Sequence, residues 1–134
     1  MAMSVEAETQ HQLNVIFLPF PAPGHMIPMV DKARLFAKHG VSVTIITTPA
    51  NALTFQKAID NDFNCGYQIR TRVLPFPAAQ VGLPDGLENV TDGTSPEIFD
   101  NVILGILMIK DQIELLFQEL QPDSLVTDMM LPWT

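Results

Sequence analysis

Two strongly apolar runs with an amphipathic segment between them constrain the fold of this chain most. Residues 13–20 are almost continuously apolar, which is typical of a parallel strand covered on both faces. Residues 41–48 are rich in β-branched side chains that favour a strand, and Pro49 ends the run. Between the two runs, Pro28 suits the first turn of a helix that ends at Gly40. The pattern predicts a strand–helix–strand unit, and therefore a parallel sheet.

The middle of the chain predicts a further helix and a third strand. Apolar residues among polar neighbours indicate a helix over residues 50–59, and the turn-forming residues 60–66 indicate a loop. Residues 67–74 alternate well enough for a strand, which Pro75 ends because proline cannot donate to a ladder. The first half of the chain thus supplies three strands of the predicted sheet.

The second half predicts an irregular segment, a long helix and a fourth strand. Residues 78–96 carry turn-forming residues without periodicity, and long loops of this kind are often functional, so we expect them near a binding site. Ser95 is the expected cap of a helix that continues through Phe117 and would be the longest in the chain. Residues 124–127 form a short apolar strand with Asp128 at its carboxyl end. The predicted fold is an α/β sheet with flanking helices.

The composition limits the classes of partner. The 134 residues suffice for about one domain, and 47 % apolar content with a formal charge of −8 is typical of a globular chain. Seven scattered Lys and Arg residues, against fifteen Asp and Glu, provide no stripe for a phosphate backbone, so no nucleic acid partner is expected. The single cysteine, Cys65, has no second thiol or nearby histidine and is expected to be structural or incidental.

The sequence predicts neither a secretory signal nor a membrane span. Residues 1–12 lack a basic segment and an unbroken apolar core, and we expect them to form a flexible tail. The longest apolar run, residues 102–109, is far shorter than the ~20 residues that a helix needs to cross a bilayer. We therefore expect a cytoplasmic protein.

His25 and Asp128 are the candidate catalytic residues. Each follows a predicted strand, and the carboxyl ends of parallel strands lie at one edge of a sheet, where ligands bind. There a histidine can take a proton while a carboxylate orients its ring. Taken alone, His25 could instead be a turn residue, and Asp128 could be the cap of a helix hinted at by Pro132. The order of the strands decides whether the two side chains meet.

The remaining histidines, methionines and tryptophan give weaker indications. His11 lies in the predicted tail and His39 at a helix end, where its charge would suit the helix dipole, so neither is assigned a catalytic role. Trp133 could pack against the sheet or line a pocket. Five methionines could also line a pocket, but most are expected to fill the core: Met26, Met29, Met108, Met129 and Met130.

Three motifs in chain order carry a resemblance to a known family. They read FPAPGHMIP at residues 20–28, VTIITTPAN at 43–51 and VTDMMLPW at 126–133. Together they resemble the plant UDP-sugar-dependent glycosyltransferases of small molecules, the inverting family 1, over residues 13–134. The segment FPAAQVGLP at 76–84 resembles the members that act on triterpenoid and flavonoid acceptors.

The resemblance implies roles for four residues. His25 would be the general base that removes a proton from the acceptor, and Asp128 would hold the other ring nitrogen and stabilise the imidazolium. Gly24 and Met130 would contact the acceptor. The family uses no metal and no cofactor, and the UDP-sugar is a co-substrate.

The resemblance also implies a two-domain GT-B fold, of which this chain would cover only a part. Residues 13–134 would form part of the Rossmann-like, acceptor-binding N-terminal domain. The C-terminal domain, which binds most of the UDP-sugar in the family, is absent from the sequence. We therefore expect the isolated chain to be inactive, and its uncovered apolar surface to make it marginally stable or prone to aggregate.

Two other functions remain open at this point. A naturally short product could bind an apolar small molecule or a partner without catalysis. An unrelated flavodoxin-like or nucleotide-binding domain is disfavoured, because residues 21–25 lack the Gly-x-Gly-x-x-Gly spacing that holds a dinucleotide pyrophosphate.

Overall fold

The computed structural model describes residues 12–131 of the chain. Most of the predicted tail, including His11, lies outside these residues, as do Trp133 and the helix expected to begin at Pro132. The four predicted strands and both candidate catalytic residues lie within them.

Four parallel strands form one sheet, which confirms the predicted fold class. The strands are β1 (Asn14–Leu18), β2 (Ser42–Thr47), β3 (Ile69–Val73) and β4 (Ser124–Thr127). Their order across the sheet is β3-β2-β1-β4. The first and last strands in sequence are therefore neighbours, with Leu18 of β1 opposite Thr127 of β4.

The two faces of the sheet are covered by different helices and carry separate apolar clusters. Alternate residues of β1 belong to the two clusters, Ile16 to one and Phe17 to the other, and both side chains are completely buried. This explains why the predicted strand 13–20 is apolar without alternation. The helix between β1 and β2 covers the face of Phe17, and the helices before β4 cover the face of Ile16.

The helix after β1 begins earlier than the sequence predicts. α1 spans Pro23–Lys38, so its first proline, rather than Pro28, occupies the first turn. The amides of His25 and Met26 both donate to the carbonyl of Ala22, at 2.9 and 2.7 Å, so a regular turn forms before Pro28 is reached. The prediction that Pro28 starts the helix is wrong, and His25 lies within α1.

The segment after β2 contains two short helices, α2 (Pro49–Ala52) and α3 (Gln56–Asn64). The predicted loop at residues 60–66 is therefore wrong for most of its length. Asp62, a turn-forming residue by type, is buried in α3 and accepts two hydrogen bonds from Arg34 of α1. This tertiary contact outweighs the weak local preference of the segment for a turn.

The long helix predicted before β4 is interrupted. α4 (Pro96–Met108) and α5 (Lys110–Leu120) are separated at Ile109, whose backbone leaves the helical region while its side chain stays buried. The predicted cap is confirmed, since Ser95 accepts a hydrogen bond from the amide of Ile98 at 3.3 Å. The longest described helix is α1, with 16 residues. Within residues 12–131, no helix is both long and apolar enough to span a membrane.

The methionines do not fill the core as predicted. Met26 is buried, and Met29, also in α1, is partly buried against the apolar cluster that contains Phe17. Met108, Met129 and Met130 are 47 %, 89 % and 44 % exposed. The last three lie at the end of α4 and in the turn after β4, where their side chains are exposed although the adjacent Ile109 and Leu131 are buried.

Candidate active site

His25 projects from the first turn of α1 at the carboxyl edge of the sheet. The helix begins soon after β1 because Pro23 fits a first turn, where its missing amide hydrogen costs no hydrogen bond. The side chain of His25 is 44 % exposed, which leaves the ring accessible from outside the fold. The edge of the ring packs against Phe20, with centroids 5.5 Å apart, and this contact limits rotation of the ring.

Asp128 follows β4 and contacts His25 directly. Its Oδ2 lies 2.6 Å from Nδ1 of His25, and its side chain is only 11 % exposed. Its other oxygen, Oδ1, accepts a hydrogen bond from the amide of Met130 at 2.9 Å. The carboxylate therefore contacts the amide of its own turn and the His25 ring at the same time, whereas the helix that it was expected to cap lies outside the described residues.

The contact with Asp128 fixes the proton on one nitrogen of the His25 ring. A carboxylate can only accept, so Nδ1 of the neutral ring carries the hydrogen. The second ring nitrogen, Nε2, then has a free lone pair. This geometry would allow Nε2 to take a proton, because the carboxylate could stabilise the positive charge that then develops on the ring.

An open cavity of about 460 Å³ lies beside His25. Gly24 and Met130, which the sequence resemblance assigned to acceptor binding, both line it. A Cβ added at Gly24 would meet no atom within 4 Å, so a side chain there would extend into free space. The other lining residues are Phe20, Ala22, Pro23, Val90, Thr91, Asp92 and Phe99.

The irregular segment, which the sequence predicts to lie near a binding site, lies next to this cavity. Its residues Val90, Thr91 and Asp92 form part of the wall, and the amide of Val90 donates to the carbonyl of Pro21 at 2.9 Å. The sequence did not single out these residues, because nothing in a run of turn formers shows which of them face a cavity. Asn51, which the sequence also did not single out, lies in α2 a few residues after the end of β2.

Other features of the described chain lie apart from His25. A cavity of about 610 Å³ is lined by the segment after β3 and the end of α4, and neither His25 nor Asp128 contributes to it. Cys65 is an exposed free thiol at the end of α3. Among residues 12–131, no group of three or more His, Cys, Asp or Glu side chains is arranged to hold a metal ion.

Sequence comparison finds relatives among plant glycosyltransferases, although no protein-family model matches the chain. The chain is 52 % identical over 123 residues to soyasapogenol B glucuronide galactosyltransferase of Glycine max. It is 45 % identical over 123 residues to solanidine UDP-glucose glucosyltransferase 1 of Solanum tuberosum. These alignments cover 92 % and 91 % of this chain but 25 % of each relative. The chain thus spans about a quarter of the length of the curated relatives it matches.

Solved structures share the fold. UGT73P12 of Glycyrrhiza uralensis, complexed with glycyrrhetinic acid 3-O-monoglucuronide, has a TM-score of 0.84 and 47 % identity, covering 91 % of this chain and 25 % of that one. UGT89C1 of Arabidopsis thaliana has a TM-score of 0.71 at 23 % identity, covering 87 % and 29 %, which supports the fold alone. From the sequence relatives and the matching four-stranded sheet, the chain belongs to the plant UDP-glycosyltransferases and corresponds to the N-terminal part of their GT-B fold.

Proposed function

We propose that this chain provides the acceptor-binding part of an enzyme that transfers a sugar from a UDP-sugar to an apolar plant metabolite, such as a triterpenoid or a flavonoid. Residues 13–134 would form part of the N-terminal domain, and the UDP-sugar would bind mainly to a C-terminal domain outside this sequence. The observation that carries the proposal is the 2.6 Å contact between His25 and Asp128 beside an open cavity.

In the proposed reaction, Nε2 of His25 removes the proton from a hydroxyl or carboxyl group of the acceptor. The acceptor oxygen attacks the anomeric carbon of the sugar, and the bond from that carbon to the diphosphate breaks, with UDP leaving with the electron pair. Attack from the face opposite the leaving group inverts the configuration at this carbon. Asp128 stabilises the imidazolium until the proton is released, so neither a metal nor a covalent intermediate is required.

The cavity beside His25 supports an acceptor that is largely apolar. Phe20, Val90 and Phe99 supply apolar wall, while Thr91 and Asp92 supply polar groups that could orient hydroxyls. The Glycine max relative is named for a soyasapogenol B glucuronide, and the Glycyrrhiza uralensis structure holds glycyrrhetinic acid 3-O-monoglucuronide. We therefore infer a polycyclic acceptor, for which Gly24 leaves free space and Met130 offers an adaptable contact.

The isolated chain is expected to transfer no sugar. The proposed base, His25, belongs to this chain, but the sugar nucleotide would need binding groups that the proposal assigns to the C-terminal domain. Several large apolar side chains of α4, α5 and the turn after β4 are also exposed, and they would favour self-association of the chain alone: Leu104, Leu107, Met108, Leu115 and Met129.

A chimera tests the proposal directly. In it, this chain replaces the matching N-terminal residues of the Glycine max galactosyltransferase, and transfer from UDP-galactose to soyasapogenol B glucuronide is measured. We expect His25→Ala to lower kcat by about a thousandfold, within the range that general-base catalysis supplies. His39→Ala is the matched control, because the exposed His39 ring hydrogen-bonds the Leu35 carbonyl at the far end of α1, so its loss should leave kcat unchanged.

Two outcomes would contradict the proposal. Equal transfer by the original chimera and its His25→Ala variant would exclude His25 as the base. A folded chimera that binds the acceptor but transfers no sugar would instead support the alternative of a non-catalytic binding module. Thermal unfolding of each variant separates these outcomes from simple misfolding.

A further inference from the structure

A buried polar cluster joins α2 to the irregular segment at the carboxyl edge of the sheet. Asn51 and Glu88 are 3 % and 7 % exposed, although both are polar. The side-chain amide of Asn51 donates to Oγ1 of Thr48 at 2.9 Å and to the carbonyl of Glu88 at 3.1 Å. The carboxylate of Glu88 accepts a hydrogen bond from the amide of Ala50 at 2.9 Å. The hydrogen bonds that Glu88 makes with Asn51 and with Ala50 therefore connect α2 to the irregular segment.

Residues 88–92, which we call the strap, are held from two sides. On the side of β2, the side-chain amide of Asn89 adds a hydrogen bond to Oδ1 of Asn51 at 3.0 Å. On the side of β1, the amide of Val90 donates to the carbonyl of Pro21 at 2.9 Å. The strap therefore bridges the carboxyl ends of two neighbouring strands, next to the turn that carries His25.

The strap forms one wall of the cavity beside His25, through Val90, Thr91 and Asp92. It contains no regular secondary structure, so without these ties its backbone would have many conformations available. Ordering such a segment when a ligand binds weakens the affinity. If hydrogen bonds fix the strap before the ligand binds, the cavity wall is already formed and no affinity is lost in ordering it.

We propose that Asn51 and Glu88 are positioning residues that fix the strap and so set the affinity for the acceptor. This inference depends on the proposed function, because it takes the cavity beside His25 as the acceptor site. The two residues act through the strap and do not contact the reacting atoms. Their loss should therefore raise KM for the acceptor while kcat, which depends on the His25–Asp128 pair, changes little.

The hydrogen bonds give each substitution a distinct expected effect. Glu88→Gln keeps an oxygen that can accept from the Ala50 amide, so it should behave like the original chain, whereas Glu88→Ala removes the acceptor. Asn51→Asp keeps the size of the side chain but replaces the donating amide with an oxygen that repels the Glu88 carbonyl. If charge on Glu88 were the important property, Glu88→Gln and Glu88→Ala would be equally impaired.

The experiment uses the chimera described above, with soyasapogenol B glucuronide as the varied substrate. We expect Asn51→Asp and Glu88→Ala to raise KM about tenfold, while kcat stays within about threefold of the parent. A tenfold rise is about the affinity that is lost when binding must also order one side chain of a loop. Amide hydrogen exchange of Val90, without substrate, should become faster in both variants and remain slow in Glu88→Gln. Matched controls are Asn61→Asp in α3 and Glu114→Ala in α5, because both residues are exposed and neither belongs to the cluster of Asn51 and Glu88.

The inference is overturned if Asn51→Asp and Glu88→Ala keep the parental KM, whether or not Val90 exchanges faster. It is also overturned if Val90 exchange is unchanged in both variants, because the strap would then be held by other contacts. Thermal unfolding identifies a variant that has lost its fold, for which Glu88→Gln serves as the conservative comparison. Failure of the proposed function is recognised separately, by a parent chimera that is inactive or indifferent to His25→Ala.

Discussion

Nδ1 of His25 and Oδ2 of Asp128 lie 2.6 Å apart, although more than a hundred residues separate them in the sequence. The contact exists because β1 and β4 are adjacent parallel strands, so that α1 and the turn after β4 leave the sheet side by side. Asp128 is held in turn by the amide of Met130. The pair is therefore oriented by backbone elements on both sides.

Asp128→Asn should remove the base function of His25 while leaving the turn intact. The new side chain can still accept from the Met130 amide, but its NH2 group would donate to Nδ1 and move the ring hydrogen to Nε2. We expect kcat of the chimera to fall by about a thousandfold, as for His25→Ala, because the base function is lost in both variants. Nitrogen NMR of the labelled histidine would report the changed tautomer. Asp111→Asn, at an exposed site, is the control, and an unchanged kcat in Asp128→Asn would refute the orienting function.

Two substitutions at Gly24 should distinguish an effect on stability from an effect on acceptor binding, and the first is Gly24→Ala. The added Cβ meets no protein atom, and alanine in a helical first turn is expected to stabilise the chain by about 0.5–1 kcal/mol relative to glycine. The larger Gly24→Leu should raise KM for the acceptor, because its side chain would occupy the cavity beside His25. Urea unfolding and acceptor kinetics check the two effects. A normal KM in Gly24→Leu would show that the acceptor does not use this part of the cavity.

Gly105→Ala should destabilise the packing of α4 against the segment after β3. A Cβ at Gly105 would clash with Cζ of Phe76, so the ring would have to move. Such overpacking costs about 1–3 kcal/mol, measurable by urea unfolding. Combining it with Phe76→Leu should relieve the clash and give a strong coupling in a double-mutant cycle. Gly93→Ala is the control, since its added Cβ would meet nothing.

The Arg34–Asp62 pair should make stability depend on pH. The hydrogen bond from Arg34, at 2.6 Å, lowers the pKa of the Asp62 carboxyl below its usual value of 3.8. A lowered folded-state pKa means that the contribution is fully present above the unfolded value and is lost as the pH falls through the folded value. We expect Asp62→Asn to cost about 1–3 kcal/mol near neutral pH, and the cost to shrink below about pH 4.

Urea unfolding at pH 7 and at pH 3 measures this difference, with Asp100→Asn on the exposed side of α4 as the control. A cost of the Asp62→Asn substitution that stays the same at both pH values would show that Asp62 stabilises α3 by packing rather than by its charge.

Local patterns in the sequence determined the four strands of the sheet and placed both candidate catalytic residues at one of its edges. Continuous apolar runs give buried parallel strands, and Ser95 caps α4 because its hydroxyl can accept from the helix amide. His25 and Asp128 could be placed at one sheet edge, since each follows a strand whose end is marked by the chain itself. The three motifs that resemble plant UDP-glycosyltransferases likewise depend only on residue identity and order.

Only the tertiary structure decided which of these elements are neighbours. The order of the strands depends on how the helices pack over the two faces of the sheet. This order brings Asp128 next to His25. Tertiary structure also decided that α3 forms, because the contact between Asp62 and Arg34 outweighs the turn preference of its residues. It likewise decided the break between α4 and α5 at Ile109, which no proline or glycine marks in the sequence. Local propensities amount to tenths of a kcal/mol per residue, so burial and long-range hydrogen bonds decide where they conflict.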